Sequence, residues 1–161
     1  MQENNLKFRQ IKHSDASALL LIRNSPSTYK YFLNSEAITS YQHEKWFSKQ
    51  LLNPNNSLVV EQNNQIIGFC YIQNEEGKNY ISLYISSSFR KIGIGTELIK
   101  QFLLCIPDEI KINLFSIVHK KNLASQKLFE KLRFERIQNF SINSSDFWIY
   151  KYRDLDSKIS I

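Results

Sequence analysis

The stretch Ser88-Phe89-Arg90-Lys91-Ile92-Gly93-Ile94-Gly95-Thr96 decides how this chain is read. It follows an alternating apolar segment, Tyr80 to Ser86, and opens an amphipathic one in which Ile94, Leu98, Ile99, Phe102 and Leu103 recur at helical spacing. A strand therefore runs into a helix through a turn with two spaced glycines. Glycines let main-chain N–H groups approach an anion closely, and a helix N-terminus adds unpaired donors and the positive end of a dipole. The dinucleotide fingerprint fails because Leu98 stands where its third glycine belongs, and the P-loop fails because no Gly-Lys-Ser/Thr occurs. What is left is Arg-x-x-Gly-x-Gly, which is either a phosphate cradle or an ordinary strand-to-helix turn.

Downstream, Lys111 to Val118 reads as a strand and Asn122 to Leu132 as a helix. Asn122 suits two jobs there, as an N-cap oxygen for the helix and as an amide for a ligand. Phe134 to Asn139 and Phe147 to Tyr152 close the chain as strands, and Pro107 stops the helix that begins at Gly93. Upstream, Ser57 to Glu61 and Gln65 to Gln73 form a hairpin through Gln62-Asn63-Asn64, since Asn tolerates positive φ. A turn at Asn74-Glu75-Glu76-Gly77 adds the strand before the glycine loop. Leu6 to Ile11 is the first strand. His13-Ser14-Asp15 offers caps for a helix from Ala16 to Arg23, and a short helix follows Pro26. A third helix, led in by Ile38 to Glu44, carries Trp46, Phe47, Gln50 and Leu51 on one face and ends at Asn53-Pro54-Asn55-Asn56.

The chain has 161 residues, of which 42% are hydrophobic, enough for one domain with a real core. No apolar run reaches the length of a membrane span. Met1 to Asn5 lacks the basic and apolar regions of a signal peptide, so a cytoplasmic location is expected. Cys70 and Cys105 lie in apolar stretches without Cys or His partners, read as small core hydrophobes, and no metal site is suggested. The net charge of +6 admits an anionic ligand, a nucleic acid or an acidic membrane and chooses none of them. No nucleic-acid recognition motif accompanies the densest basic segment, Lys111 to Arg136. The tail after Asp154 is expected to fray.

The glycine loop resembles the acetyl-CoA pyrophosphate loop of the GNAT acetyltransferase superfamily, Gln/Arg-x-x-Gly-x-Gly/Ala between a central strand and a long helix. Asn122-Leu123-Ala124-Ser125-Gln126-Lys127-Leu128-Phe129-Glu130-Lys131-Leu132-Arg133-Phe134 resembles its second motif, Asn-x-x-Ala/Ser-x-x-Leu-Tyr/Phe-x-x-x-Gly-Phe. The element order matches as well. The resemblance implies one α+β N-acetyltransferase domain over residues 1–161, ordered from about residue 6 to 153. It implies a mixed, mostly antiparallel sheet with a splayed strand pair, flanked by helices. It further implies acetyl-CoA as donor, held by backbone groups of Leu83 and Ile85, by the loop residues Arg90, Lys91, Ile92, Gly93, Ile94, Gly95 and Thr96, and by Asn122 and Phe129. The implied reaction is direct attack of a primary amine in a ternary complex.

Departures from the pattern carry expectations of their own. Lys91 and Arg133 stand where the family has Gly, so Arg133 is expected to take a left-handed conformation if it closes its helix. Phe129 replaces a Tyr often proposed to protonate the leaving thiolate, which a phenyl ring cannot do. Tyr80 to Ile85 holds no carboxylate to act as base. Ser82 or Tyr84 could order a relaying water, with Tyr84 otherwise a wall. His43 has the side chain suited to neutral pH, or is a helix-start or surface histidine.

The stretch Arg23-Asn24-Ser25, then Tyr29, Tyr31 to Asn34, Ile38-Thr39 and His43-x-x-Trp46-Phe47, resembles a signature of relatives that acetylate nucleotide-linked 4-amino sugars. That resemblance implies Arg23, Asn24, His43 and Trp46 as acceptor contacts. Arg23 offers a fork for a carboxylate or phosphate, or a cap for its own helix. The implied partner is a small-molecule amine, with no nucleic acid or membrane partner, in a monomer or homodimer. Competing readings are a protein or peptide acetyltransferase and a catalytically silent acyl-CoA sensor.

Overall fold

A computed structural model describes residues 5–154. The strands are β1 (Leu6–Arg9), β2 (Ser57–Gln62), β3 (Gln65–Glu75), β4 (Lys78–Ile85), β5 (Leu114–His119), β6 (Phe134–Ile142) and β7 (Ser145–Tyr152). The helices are α1 (Ala16–Arg23), α2 (Pro26–Tyr29), α3 (Ser40–Leu52), α4 (Ile94–Cys105), α5 (Asp108–Ile112) and α6 (Leu123–Lys131). The strands make one sheet in the order β1-β2-β3-β4-β5-β7-β6, antiparallel except for β4 with β5. This is a single-domain α+β architecture of the expected kind. The tail beyond Asp154, expected to fray, lies outside the described residues.

Strand alternation divides the side chains between two faces. One face puts Leu58, Cys70, Ile72, Ile81 and Val118 against Leu98, Ile99 and Phe102 of α4 and Phe129 of α6, the larger core. The other puts Val59, Phe69 and Tyr84 against Leu19 and Ile22 of α1 and Phe47 of α3. Burial of side chains this large stabilises by roughly 1.5–3 kcal/mol each. At the β1 edge, Arg9 donates to both Asp15 oxygens, at 2.7 and 2.9 Å, and to Glu61, which fastens β1 to β2 and to the start of α1. That shared cation holds the Glu61 carboxyl below its usual range.

Three expectations are corrected. Lys111 and Ile112 are not strand: Pro107 ends α4 and also starts α5, where its missing N–H costs nothing, so β5 begins only at Leu114. Cys105 is exposed, because it lies on the outward side of the last turn of α4, whereas Cys70 is buried as expected. α3 starts at Ser40 under a Thr39–Gln42 capping box, which satisfies its first N–H groups.

Candidate active site

β4 and β5 pair only through Asn79 with Leu114 and Tyr80 with Phe115, and then separate. The separation opens a cavity of about 660 Å³, walled by both strands, the glycine loop, the start of α6 and the segment after α2. Asn79 N–H donates to Asn113 O, and Ile81 O accepts from Ser116 Oγ, so odd-numbered residues of β4 turn their backbone groups toward β5. Alternation then aims the backbone groups of Leu83 and Ile85 into the cleft. The Ile85 carbonyl is already taken by Arg90 Nε at 2.9 Å, and among the described residues no strand pairs with Leu83 and Ile85 on the cleft side, which leaves their two N–H groups and the Leu83 carbonyl facing it.

After a 3₁₀ turn at Ser87–Phe89, the loop passes through Lys91 at φ 64° and Gly93 at φ 85°, the N-cap of α4. Among the described residues, the N–H groups of residues 91–96 meet no backbone acceptor, a run of open donors of the kind an anion cradle needs. The two glycines serve different ends. A Cβ on Gly93 would meet open space, and its glycine is needed for the positive φ; a Cβ on Gly95 would lie 2.9 Å from Leu128 Cδ1 and 3.4 Å from Leu83 Cδ2. Gly95 therefore keeps α4 against α6 and β4. Asn122 Oδ1 caps α6 by accepting from Ser125 N at 3.2 Å, and its amide nitrogen is left for the cavity it lines. Phe129 is a buried wall, edge to face with Phe134 at 4.9 Å.

Arg90 does not present its guanidinium to the loop. Besides Ile85 O, it donates to Ser27 O at 3.2 Å and Thr28 Oγ1 at 2.7 Å, tying the end of β4 to α2, and burial lowers its pKa. Ile94 is buried in the α4 core, so only its backbone can serve a ligand, whereas the Ile92 side chain is exposed.

On the face opposite α4, Ser82 and Tyr84 stand beside Tyr71 and Phe69 of β3. Ser82 is the cross-strand partner of Tyr71, whose phenol is pushed above its ordinary pKa by burial. Burial pushes the Tyr84 phenol well above its ordinary pKa, so it can donate a hydrogen bond but is a poor proton acceptor. Tyr31 lies 5.6 Å from the His119 ring and Phe32 lies 6.1 Å from Tyr84, so two consecutive residues span the divergence between the strands. The sequence reading gave His119 no role. Its signal was parity, since Phe115, Ile117 and His119 alternate onto one face of β5. His119 Nδ1 accepts from Lys121 N–H at 3.0 Å and burial lowers its pKa, which leaves a neutral ring with its donor at Nε2.

The four acceptor contacts expected from the sequence fare differently. His43 is 2% exposed, donates from Nε2 to Ala16 O at 2.7 Å and stacks on Phe47; it is a core histidine, outside the cavity walls, and burial lowers its pKa. Trp46 packs behind Tyr71 at 5.0 Å, also away from the cavity walls. Asn24 holds Ile38 by two bonds, at 2.8 and 2.9 Å, pinning the loop before α3. Arg23 does not cap its own helix and is not itself a wall of the cavity: it lies 4.6 Å over Phe32, which is one, and donates to Glu36 O at 3.3 Å.

The model of the acetyltransferase (GNAT) domain family matches residues 5–135. A comparison with curated proteins finds no match. Among solved structures, a protein named provisionally as a phosphinothricin N-acetyltransferase is 24% identical, with TM-score 0.79, covering 91% of this chain and 96% of that one. A ribosomal-protein-alanine N-acetyltransferase from Brucella melitensis is 20% identical, with TM-score 0.73, covering 89% and 97%. A protein from Salmonella typhimurium, solved with its cofactor acetyl-CoA, is 17% identical, with TM-score 0.73, covering 91% and 92%. The diverging strands, the open N–H cradle and the family match over most of the chain agree: this protein belongs to the GNAT acetyltransferases, enzymes that take their acetyl group from acetyl-CoA.

Proposed function

We propose that this chain transfers acetyl from acetyl-CoA directly to the primary amine of a small polar acceptor, an amino sugar or nucleotide-linked amino sugar, in a ternary complex. The observation that carries the reading is the opening between β4 and β5, with the cradle at one end and an aromatic face at the other. The N–H groups of residues 91–96 would hold the pyrophosphate. The backbones of Leu83 and Ile85 and the Asn122 amide would hold the pantetheine arm, with Phe129 as wall. Acetyl-CoA supplies the activated acyl group, and the protein's share is placement and hydrogen-bond donation.

On the acceptor side, Tyr31, Phe32 and Tyr84 suit the apolar face of a sugar, and Ser82 and Tyr84 supply donors. Ser82 can order a water, and Tyr84 can donate a hydrogen bond while keeping its proton. His43 has no part in this reading because its ring is sealed in the core. A second reading, a silent acyl-CoA binder, draws on the missing hydroxyl at Phe129.

The test is calorimetry with acetyl-CoA followed by thiol release across amino sugars, polyamines and peptides. Binding with turnover strongest on amino sugars is the expected result. Binding without turnover on any amine selects the silent binder, turnover on peptides alone selects the protein acetyltransferase, and no binding removes the site assignment.

A further inference from the structure

The cavity is lined by Lys30, Lys91, Lys121, Lys127 and Lys131 and, among the described residues, by no carboxylate. The acidic groups of the neighbourhood are engaged elsewhere. Asp15 and Glu61 are both held by Arg9 at the far edge of the sheet. Asp146, in the turn between β6 and β7, accepts from the Ser141 hydroxyl and reaches His119 only as a charge through space. His119 itself has Nδ1 filled by Lys121 N–H and offers a donor. Tyr31 and Lys30 from the segment after α2, and Ser82 and Tyr84 from β4, complete the groups facing the acceptor end, and none of these is an anion at neutral pH.

An ammonium brought to the acceptor end meets no carboxylate of the chain and no base to take its proton. Lys30 and partial burial both favour its neutral form, while the lysines of the loop and α6 stand where the coenzyme's phosphates would meet them. Lysine-type amines, with a reference pKa of about 10.4, resist that change far more than amines titrating near 8. Arg23 supplies the complementary observation. Its guanidinium lies against Phe32 and near Tyr71 and Tyr84, burial lowers its pKa, and among the described residues it has a single carbonyl partner and no acidic one. A partly desolvated cation without an anion favours an anion brought by a ligand.

Resting on the proposed acetyl transfer, we infer that the acceptor is an anion-bearing amine that enters as the free base, its anion received by Arg23, and that polyamines and lysine side chains are excluded. The amine loses its proton to solvent before it binds, so no residue of the chain abstracts it from the ammonium. Attack forms the C–N bond and breaks the C–S bond, and the second amine proton passes through water ordered at Ser82 to the departing thiolate, which leaves as free CoA thiol.

The test titrates glucosamine 6-phosphate, glucosamine and spermidine into protein loaded with CoA, which carries no acetyl group and cannot react. The same three probes are then followed by thiol release with acetyl-CoA between about pH 7 and 9. The phosphate ester should bind at least about tenfold more tightly than glucosamine, with no heat from spermidine, and Arg23→Gln should erase the tenfold difference. The rising limb of the pH–rate profile should follow the probe's own amine and stay in place in Asp146→Asn.

Spermidine binding as tightly as the phosphate ester would overturn the inference. So would a preference that survives Arg23→Gln, or a limb that moves with Asp146→Asn. Should Arg23→Gln fail to fold, the ranking of the three probes on the wild-type protein decides alone. Failure of the acetyl-transfer reading is separable: it shows as acetyl-CoA binding with no thiol released from any probe, while the calorimetric ranking by charge is still read.

Discussion

On one side of the cleft the groups offered to a ligand are main-chain N–H groups of residues 91–96 and the β4 edge, set by the left-handed turn at Gly93 and the cap at Asn122. On the other side they are the side chains of Tyr31, Phe32, Ser82, Tyr84 and His119, delivered by three segments far apart in the chain. A wall made of backbone depends on a few neighbouring residues and their φ angles. A wall made of side chains depends on strand parity, on which loop folds over which strand, and on what each polar atom is already bonded to.

The sharpest way to break this contrast is a side chain where the backbone wall has no room. Gly95→Leu should cut acetyl-CoA affinity at least about 100-fold by calorimetry, because it must displace Leu128 and Leu83, while circular dichroism keeps the fold. Gly93→Ala meets open space and only left-handed strain, about 1–2 kcal/mol, so stability should fall before affinity does.

Arg90→Gln asks whether a residue of the glycine motif belongs to the backbone wall or braces it. Loss of the bonds to Ile85 O, Ser27 O and Thr28 Oγ1 should lower unfolding free energy by about 2–3 kcal/mol in urea, with a smaller loss of coenzyme affinity than in Gly95→Leu. The opposite ranking would return the guanidinium to the phosphates.

His43→Phe sharpens the contrast on the acceptor side. Because burial lowers the pKa of His43, the unfolded chain binds its proton first as pH falls below the ordinary value of 6.5. That histidine therefore stabilises the fold fully above 6.5, and its contribution is lost as pH drops toward the depressed folded value. The urea midpoint should fall less between about pH 7.5 and 5.5 in His43→Phe than in the wild type.

The smallest effect is expected at Arg133, held at φ 66° where α6 ends. Arg133→Gly should raise unfolding free energy by no more than about 1 kcal/mol, since relief of strain is partly offset by the freedom glycine gains when unfolded.

These differences also explain what the amino-acid order revealed. Gly93, Asn122 and the helical stripe of Ile94, Leu98 and Phe102 act locally, so the glycine turn, the α6 cap and the sheet order were legible, and the left-handed Arg133 followed from the same pattern. The bracing role of the Arg90 side chain was not legible, because nothing local tells that Thr28, 62 positions away, captures its guanidinium. The burial of His43 was not legible for the same reason: its bond to Ala16 O joins two helices. His119 went unnoticed because its neighbours Tyr31 and Phe147 come from distant segments. The late start of β5 reflects Pro107, which can end one helix and begin another, two outcomes that a single residue does not separate.

The lysines around the cleft bear on how the protein responds to its medium. Lys91, Lys121, Lys127 and Lys131 surround one opening without a facing acid among the described residues, so dissolved ions compete with any anionic ligand for the same field. At physiological ionic strength that field reaches only about 8 Å, and it lengthens as salt is withdrawn. Chloride would merely screen the opening, whereas sulfate or inorganic phosphate would lodge in the donor cradle, making the choice of buffer a determinant of measured affinity.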